Sequence, residues 1–332
     1  MLLVNLGTPG ALTEDAVRAF LDEFLSDPLV VDWPRAIWIP VLRGIVLRRR
    51  PAKALELYRS IWSSEGSPLA LGTERLADAL GARLADLARV VPTYRYGLEG
   101  LAKRLPQMAA EVSGRIIVLP LFPQRTASSH GTVQRFARDL AERDGFTERL
   151  LPLDLPPDDD GYLAAVADRC REAFARDGSR GERSLPNAPE RARAPQRLLV
   201  SFHGIPLSTD RREGGTYRDD CRRTFSGLLE ALGWDEDRAE ICYQSRFGPE
   251  RWLEPATEDR LVTLAQEGTH ELALVAPGFL TEGLETLEEL DQRGAAAFRK
   301  AGGKHLLRAG AVVDHPLLLD SLEARIRRAL AD

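Results

Sequence analysis

Three cysteines are all that this 332-residue sequence contains, and no two of them form a C-x-x-C pair. This scarcity argues against a disulfide framework and leaves no visible zinc or iron–sulfur motif. No G-x-G-x-x-G or G-x-x-x-x-G-K-[ST] motif follows a predicted strand, so a nucleotide cofactor has no support. The sequence also lacks a basic excess. It contains 45 Lys and Arg residues and 50 Asp and Glu residues, and the net charge of −5 argues against a dedicated nucleic-acid binder.

Long apolar runs are absent as well. The longest, residues 36–47, contains Pro40, Arg43 and Gly44, and its dozen or so residues fall short of the ~20 that a membrane-spanning helix needs. The first residues lack the basic region typical of a signal peptide. Few cysteines are typical of a reducing compartment. We therefore expect a cytoplasmic protein.

Short apolar runs alternate with longer helical patterns along the chain. The predicted strands are Leu2–Leu6, Thr93–Gly97, Arg115–Phe122, Arg197–Phe202, Ala239–Gln244 and Glu271–Ala276. Helices are predicted between them, among others over Thr73–Arg89, Ser129–Arg143, Tyr217–Leu232 and Leu284–Ala301. Strands that are apolar throughout are typical of parallel sheets covered on both faces. The sequence thus predicts an α/β fold with two Rossmann-like, doubly wound lobes, residues 1–150 and 151–332, around a cleft.

One histidine stands where chemistry is expected. Ligands of open parallel sheets bind beyond the carboxyl ends of the strands, and His203 ends a predicted strand just before Gly204 and Pro206, which favour a turn. A hydrogen-bonded core histidine is the plain alternative. The other four histidines fall in predicted loops or helix ends, where we expect them to be solvated.

A run of carboxylates forms the second candidate. Glu282, Glu285 and Glu289 are spaced i, i+3, i+7 and would share one helix face, while Glu288 would point toward solvent. The helix dipole explains one or two acids in a first turn, not three on one face. Such carboxylates could carry a divalent cation or relay protons. Imidazole plus carboxylate suits Fe(II), Co(II) or Zn(II), and an incomplete ligand set suits a metal that is passed on.

With these residues in place, the sequence resembles the ferrochelatase family almost end to end, and its proteobacterial members most. The resemblance rests on LLVNLGTP (2–9), FLSDPLVVDWP (24–34), YRSIW (58–62), GSPL (66–69), YRYG (94–97), VLPLFPQ (118–124), SFHGIP (201–206), YRDDCRRT (217–224), YQSRFGPERWLEPAT (243–257) and PGFLTEGLETLEELD (277–291). It implies insertion of Fe(II) into protoporphyrin IX to give haem, the last step of haem synthesis.

The resemblance also implies residue roles. His203 and Glu285 would form the catalytic and metal centre, and Glu282 and Glu289 an acidic path. Substrate binding would fall to Arg50, Tyr58, Ser67, Arg95, Tyr96 and Trp252. Fe(II) is then a substrate, no tightly bound cofactor is expected, and the cysteine-free C-terminal helix implies no [2Fe–2S] cluster. The sequence departs from the family at Glu282-Gly283 and at Arg125, which concerns details of the metal path and the pocket.

Several alternatives stay open at this point. His203 would accept the pyrrole protons while Glu285 delivers metal, or the two roles would be reversed. The substrate could be coproporphyrin III with iron, or sirohydrochlorin with cobalt or nickel, and a non-catalytic haem- or porphyrin-binding protein would need the pocket without the carboxylate run. The apolar segment Trp33–Leu47 is either a core helix or an apolar lip that contacts the membrane surface.

Overall fold

The computed structural model describes residues 1–98, 100–176, 195–248 and 250–331. Contacts divide the chain into two compact units, Met1–Pro156 with Leu319–Asp332, and Pro157–Leu318. The division lies six residues beyond the predicted position. The C-terminal segment, which the sequence assigned to the second lobe, belongs to the first unit by its contacts.

The first unit alternates strands and helices. Its elements are β1 (Leu2–Thr8), α1 (Glu14–Leu25), α2 (Arg35–Val41), α3 (Leu47–Ile61), α4 (Pro68–Arg83), β2 (Val91–Gly97), α5 (Leu101–Glu111), β3 (Ile116–Pro120), α6 (Thr132–Asp144) and β4 (Leu150–Pro152). Two short π-helical segments, Leu42–Val46 and Ala127–Gly131, lead into α3 and α6.

The second unit repeats this alternation. Its elements are α7 (Asp160–Arg176), β5 (Arg197–His203), α8 (Leu207–Arg212), α9 (Thr216–Leu232), β6 (Ala239–Gln244), α10 (Thr257–Gln266), β7 (Glu271–Val275), α11 (Ala295–Lys300), β8 (His305–Arg308) and the start of α12 (Pro316–Ala331). An eleven-residue π-helix, Leu284–Gly294, runs directly into α11.

Each unit is built on a four-stranded parallel sheet, and the two sheets share one strand order. The orders are β2-β1-β3-β4 and β6-β5-β7-β8, and every strand pair is parallel. The predicted fold class is therefore confirmed. In each sheet the chain moves to one side of the first strand and then crosses to its other side, which creates a switch point at the carboxyl ends of β1 and β5.

Four of these elements were not predicted, the strands β4 and β8 and the helices α5 and α8. The edge strands β4 and β8 have only three and four residues, too short for a pattern to stand out. Helix α5 carries Pro106 in its interior, which lowers its apparent helical character. Helix α4 begins five residues before its predicted start, because Pro68 occupies its first turn, where proline is favoured.

Apolar side chains from the strands form the cores. In the first unit, Leu2 and Val4 of β1 pack with Ile116 and Val118 of β3 against α5 and α6. In the second unit, β5, β6 and β7 pack against α10 and against Phe298 of α11. All three cysteines are buried and free. No helix within the described ranges is both long enough and apolar enough to cross a membrane.

Gly7 is the tightest backbone position of the first sheet. It lies in β1 opposite Tyr96 of β2, with φ of 119°, and a Cβ atom there would lie 1.9 Å from the Tyr96 carbonyl oxygen. We predict that Gly7→Ala lowers the free energy of unfolding of the first unit by ~3 kcal/mol or more through overpacking and backbone strain. Thermal unfolding measures the loss.

Gly114→Ala provides the matched control, because a Cβ atom there would meet nothing within 4 Å. An unfolding temperature for Gly7→Ala equal to that of Gly114→Ala would contradict the packing described for β1 and β2.

Candidate functional site

His203 lies at the carboxyl end of β5, the strand at the switch point of the second sheet. Its side chain is exposed, and its Nδ1 lies 2.6 Å from the carbonyl oxygen of Gly204. A carbonyl oxygen only accepts hydrogen bonds, so Nδ1 carries the hydrogen and Nε2 keeps a lone pair. His203 is thus not a buried core residue but an exposed imidazole at the end of a strand, available as a base or a ligand.

The backbone around His203 is held firmly. The hydroxyl of Tyr217 donates to the His203 carbonyl oxygen over 2.6 Å. A Cβ atom on Gly204 would lie 2.8 Å from the Gln244 carbonyl oxygen and 3.0 Å from the ring of Trp252. Only glycine fits between them, and the buried Trp252 ring therefore lies directly against the turn that follows His203.

The carboxylates lie on and around the π-helix Leu284–Gly294. The predicted helix Leu284–Ala301 is one continuous element, but its first eleven residues are π-helical. Long π-helical segments are rare, and π-turns occur frequently at functional sites. At its start, the backbone N–H of Gly283 donates to the Thr286 hydroxyl over 2.9 Å, which fixes where the helix begins.

Gln244 connects the strand next to His203 with the helix that carries Glu285. It lies in β6 directly opposite His203 in the strand register. Its amide nitrogen donates to the backbone carbonyl of Glu285 over 2.6 Å, and the Ser201 hydroxyl donates to its amide oxygen over 2.7 Å. This chain of hydrogen bonds holds Glu285 close to His203.

The surroundings of Glu285 raise the pKa of its carboxyl group. Burial is the largest cause, and the nearby Glu289 raises the pKa further, while His203 opposes the shift. A carboxyl group with a raised pKa accepts and releases protons nearer neutral pH than an ordinary glutamate.

Ser245, the residue directly after β6, binds both carboxylate oxygens of Glu289. The backbone N–H of Ser245 donates to Glu289 Oε1 over 2.6 Å, and the Ser245 hydroxyl donates to Oε2 over 2.5 Å. Ser245 has a φ of 64°, the one non-glycine residue with a positive φ in the described chain. Such strain at a polar contact is typical of functional sites, and here it turns both donors toward one carboxylate.

Glu282 is held apart from these two carboxylates. The prediction that it shares a helix face with Glu285 and Glu289 is wrong, because the helix begins after it, at Leu284. Its Oε1 accepts from the Arg308 guanidinium over 3.2 Å and from the backbone N–H of Ala311 over 2.9 Å. Arg308 also forms a bidentate pair with Asp291. Glu282 therefore shares Arg308 with Asp291 and is engaged within the fold.

Glu288 also differs from expectation. The sequence placed it toward solvent, but its side chain is only 8 % exposed and pairs with Arg293 over 2.9 Å. The π-helical winding advances by a smaller angle per residue than an α-helix, since its bonds run from i to i+5. The faces counted with an α-helical period are therefore displaced.

The predicted substrate residues other than Trp252 all lie in the first unit. Arg50 is exposed on α3, and Tyr58 of the same helix is half-buried, with its ring 5.9 Å from that of Trp62. Ser67 is buried before α4, where its hydroxyl shares a 2.9 Å hydrogen bond with that of Thr8. Their roles in substrate binding stay predictions.

Arg95 and Tyr96 are engaged with a residue that the sequence did not single out. The Arg95 guanidinium pairs with Asp27 over 2.6 Å and stacks on the Tyr96 and Phe136 rings. The Tyr96 hydroxyl donates to the same Asp27 carboxylate over 2.7 Å, as does that of Thr132. Tyr96 has no exposed surface. This cluster supports the local fold, and Asp27 is its centre.

Ligands for a resident metal are sparse. Across the described residues, no group of three or more His, Cys, Asp or Glu side chains is arranged to hold a metal ion. His203, Glu285 and Glu289 offer one imidazole and two carboxylates on neighbouring elements, which suits borderline divalent ions better than Mg²⁺ or Ca²⁺. This donor set is suited to passing an ion on.

The fold of the chain, with two parallel sheets of one shared strand order, resembles that of solved chelatases. Among solved structures, SirB from Bacillus subtilis with Fe3+ resembles the chain with a TM-score of 0.50 and 14 % identity, over 80 % of this chain and 92 % of that one. The sirohydrochlorin chelatase SirB from Bacillus subtilis subspecies spizizenii, in complex with cobalt, resembles it with a TM-score of 0.52 and 13 % identity, over the same shares. These likenesses concern the fold.

Residues 1–330 match the ferrochelatase family model. The ferrochelatase of Azoarcus sp. (strain BH72) is 41 % identical over 98 % of this chain and 86 % of its own length. That of Nitrosomonas europaea is 39 % identical, over 97 % and 85 %. The chain belongs to the ferrochelatase family, the metal chelatases of the lyase class that act on ferrous iron and porphyrin.

Asp27 allows a test of the cluster around Arg95. Although burial opposes the shift, hydrogen bonds from Thr132 and Tyr96 and the charge of Arg95 lower the pKa of Asp27. A lowered pKa contributes stability that is present above the ordinary pKa and lost as the pH falls through the folded value. We predict that Asp27→Asn costs ~3–5 kcal/mol at pH 7, because it leaves Arg95 buried without its partner.

The measurement is thermal unfolding of both proteins between pH 7 and pH 3, where the difference should shrink as Asp27 takes up a proton. Asp15→Asn, an exposed first-turn acid of α1, is the control. A constant difference across this pH range would contradict the ionised Asp27.

Proposed function

We propose that this chain inserts Fe(II) into protoporphyrin IX, with His203 and Glu285 as its catalytic residues. The observation that carries this proposal is the hydrogen-bonded link through Gln244, which holds Glu285 beside the exposed imidazole at the switch point of the sheet. Membership of the ferrochelatase family supports the reaction. The arrangement of side chains supports the division of roles.

His203 is suited to accept the pyrrole protons. Its Nδ1 is bound to the Gly204 carbonyl, so Nε2 is the ring nitrogen left to accept a proton. A neutral imidazole takes up a proton readily near pH 7. The free porphyrin carries two N–H protons, and the four nitrogens bind the metal only when both have left.

Glu285 and Glu289 are suited to pass protons outward and Fe²⁺ inward. Each insertion brings in Fe²⁺ and releases two protons, so the net charge of the centre is unchanged when both use the same carboxylates. The raised pKa of Glu285 favours proton uptake from His203. Glu289, fixed by Ser245, would pass protons outward and accept incoming iron. Glu282, paired with Arg308, anchors this region without taking part.

Loss of the histidine and loss of the carboxylate should both abolish turnover. We predict that His203→Ala and Glu285→Gln each lower kcat by about 100-fold or more, the contribution of a positioned acid or base. Glu285→Gln keeps the backbone carbonyl that Gln244 binds, so the fold should persist. An anaerobic assay of Fe(II) or Zn(II) insertion, followed by absorbance, measures the effect.

Glu267→Gln, at an exposed position after α10, serves as control. Protoporphyrin IX, coproporphyrin III and sirohydrochlorin are compared in the same assay. Near-normal turnover of either variant with protoporphyrin would contradict the assigned roles, and preferred turnover of another tetrapyrrole would overturn the substrate. Stoichiometric porphyrin binding without metal insertion would indicate a carrier protein.

The lip segment Trp33–Leu47 shows features of both alternatives left open by the sequence. One face packs into the core through Leu42 and Leu47, and the Trp38 indole donates to the Leu25 carbonyl over 2.6 Å. The other face exposes Trp33, Ile37 and Ile45, by 46 %, 56 % and 54 %. Such an amphipathic element, followed by the exposed arginines 48–50, fits peripheral contact with an anionic membrane.

Replacing the exposed side chains should weaken this contact without disturbing the core. We predict that Ile37→Asp with Ile45→Asp lowers partitioning onto vesicles of phosphatidylcholine and phosphatidylglycerol by about tenfold or more, from the ~1.5–3 kcal/mol that burial of each isoleucine contributes. Leu87→Asp, at a position exposed by 44 % outside the lip, is the control. Equal sedimentation of all three proteins with vesicles would exclude the lip as a membrane contact.

A further inference from the structure

A cavity lies in the same unit as His203, along the edge of its sheet. It has a volume of about 370 Å³ and is lined by Ile241 and Tyr243 of the edge strand β6, by the segment after Glu250, and by arginines of α9. That size falls within the range of small-molecule sites. Of the residues given roles above, Trp252 lines this cavity, whereas His203, Glu285 and Glu289 do not.

Three guanidinium groups surround it. Arg218 and Arg222 extend from α9, and Arg251 from the segment after β6. Arg251 forms no ion pair with any residue that the structure describes, and Arg222 reaches only the exposed Asp219, over 3.4 Å. Arginine is the residue best suited to form bidentate hydrogen bonds with a carboxylate.

Two donors on lining residues are buried without an acceptor. Within the described chain, neither the Nε–H of Arg218 nor the indole N–H of Trp252 makes a hydrogen bond. Buried N–H groups almost always donate a hydrogen bond, because leaving such a group without an acceptor costs free energy. Both groups belong to residues that line the cavity, so its wall contains N–H groups that the protein itself leaves unsatisfied.

Acidic neighbours limit which anion fits. Asp210 is fully buried and lies 3.4 Å from Arg218, and Glu254 lines the cavity itself. A ligand with two or more negative charges would be repelled by these carboxylates. The walls formed by Ile241, Leu253 and Pro255 are apolar. The cavity therefore matches a singly charged carboxylate that carries an apolar body.

We propose that this cavity is a binding site for a small monocarboxylate with an aromatic or aliphatic body, separate from the metal centre. Its carboxylate would lie among Arg218, Arg222 and Arg251, and its body against β6 and Trp252. Trp252 lines the cavity and its ring also lies against Gly204, so the ligand would bind one residue contact away from the turn of His203.

Calorimetry with naphthalene-2-carboxylate tests the proposal on the full chain. The wild-type protein should bind this probe in a 1:1 complex, and naphthalene-2-carboxamide, its uncharged analogue, at least about tenfold more weakly, since hydrogen bonds to charged groups are the stronger ones. Arg222→Gln with Arg251→Gln should weaken binding of the carboxylate by a similar factor. Both arginines are exposed, so the fold should tolerate the change.

Two further variants locate the bound probe. Ile241→Trp should fill the cavity and lower affinity while all three arginines remain. Arg299→Gln, an exposed arginine of α11, and Arg50→Gln, in the predicted porphyrin-binding residues, should leave affinity unchanged. No binding at millimolar concentration, equal binding of the carboxamide, or unchanged affinity in the double arginine variant would overturn the proposal.

Discussion

The hydrogen bond from Gln244 to the backbone of Glu285 is the contact on which the candidate site depends. Parallel pairing of β5 with β6 places Gln244 opposite His203, and the 2.6 Å bond to the Glu285 carbonyl then ties the π-helix to the sheet. Because the acceptor is backbone, the link positions the helix without engaging the carboxylate. The carboxylate stays available for protons and metal, and its burial raises its pKa.

The carboxylates on and around the π-helix are of two kinds, those that pair with an arginine and one that does not. Glu288 pairs with Arg293, and Glu282 and Asp291 share Arg308, whereas Glu285 pairs with no arginine in the described structure. Arg308 is largely buried, whereas Arg293 is half-exposed. Arg293 also lies 4.0 Å from Glu289, so Glu285 is the acid of this group that the proposed roles leave for proton exchange with His203.

The parallel sheets could be predicted from the sequence, because strands buried on both faces have a distinctive composition. His203 was predicted as a candidate from its position at a strand end, and Glu285 from the spacing of the carboxylates. The same spacing misplaced Glu282 and Glu288, because neither the helix start at Leu284 nor its π-helical winding follows from apolar periodicity. Asp27, Gln244 and Ser245 were not singled out from the sequence. Their importance comes from partners that lie 41 to 105 residues away along the chain, which no local pattern reports.

The measurement that tests this account most directly is the rate of metal insertion by Gln244→Leu, which keeps the volume of the side chain but removes its amide. The Ser201 hydroxyl keeps Thr257 as a partner, so the unfolding temperature and porphyrin affinity should stay close to those of the wild type. We predict that kcat falls by at least about tenfold, ~1.4 kcal/mol in the barrier, because Glu285 is no longer held beside His203. A kcat equal to that of the wild-type protein would contradict the central role given to this contact.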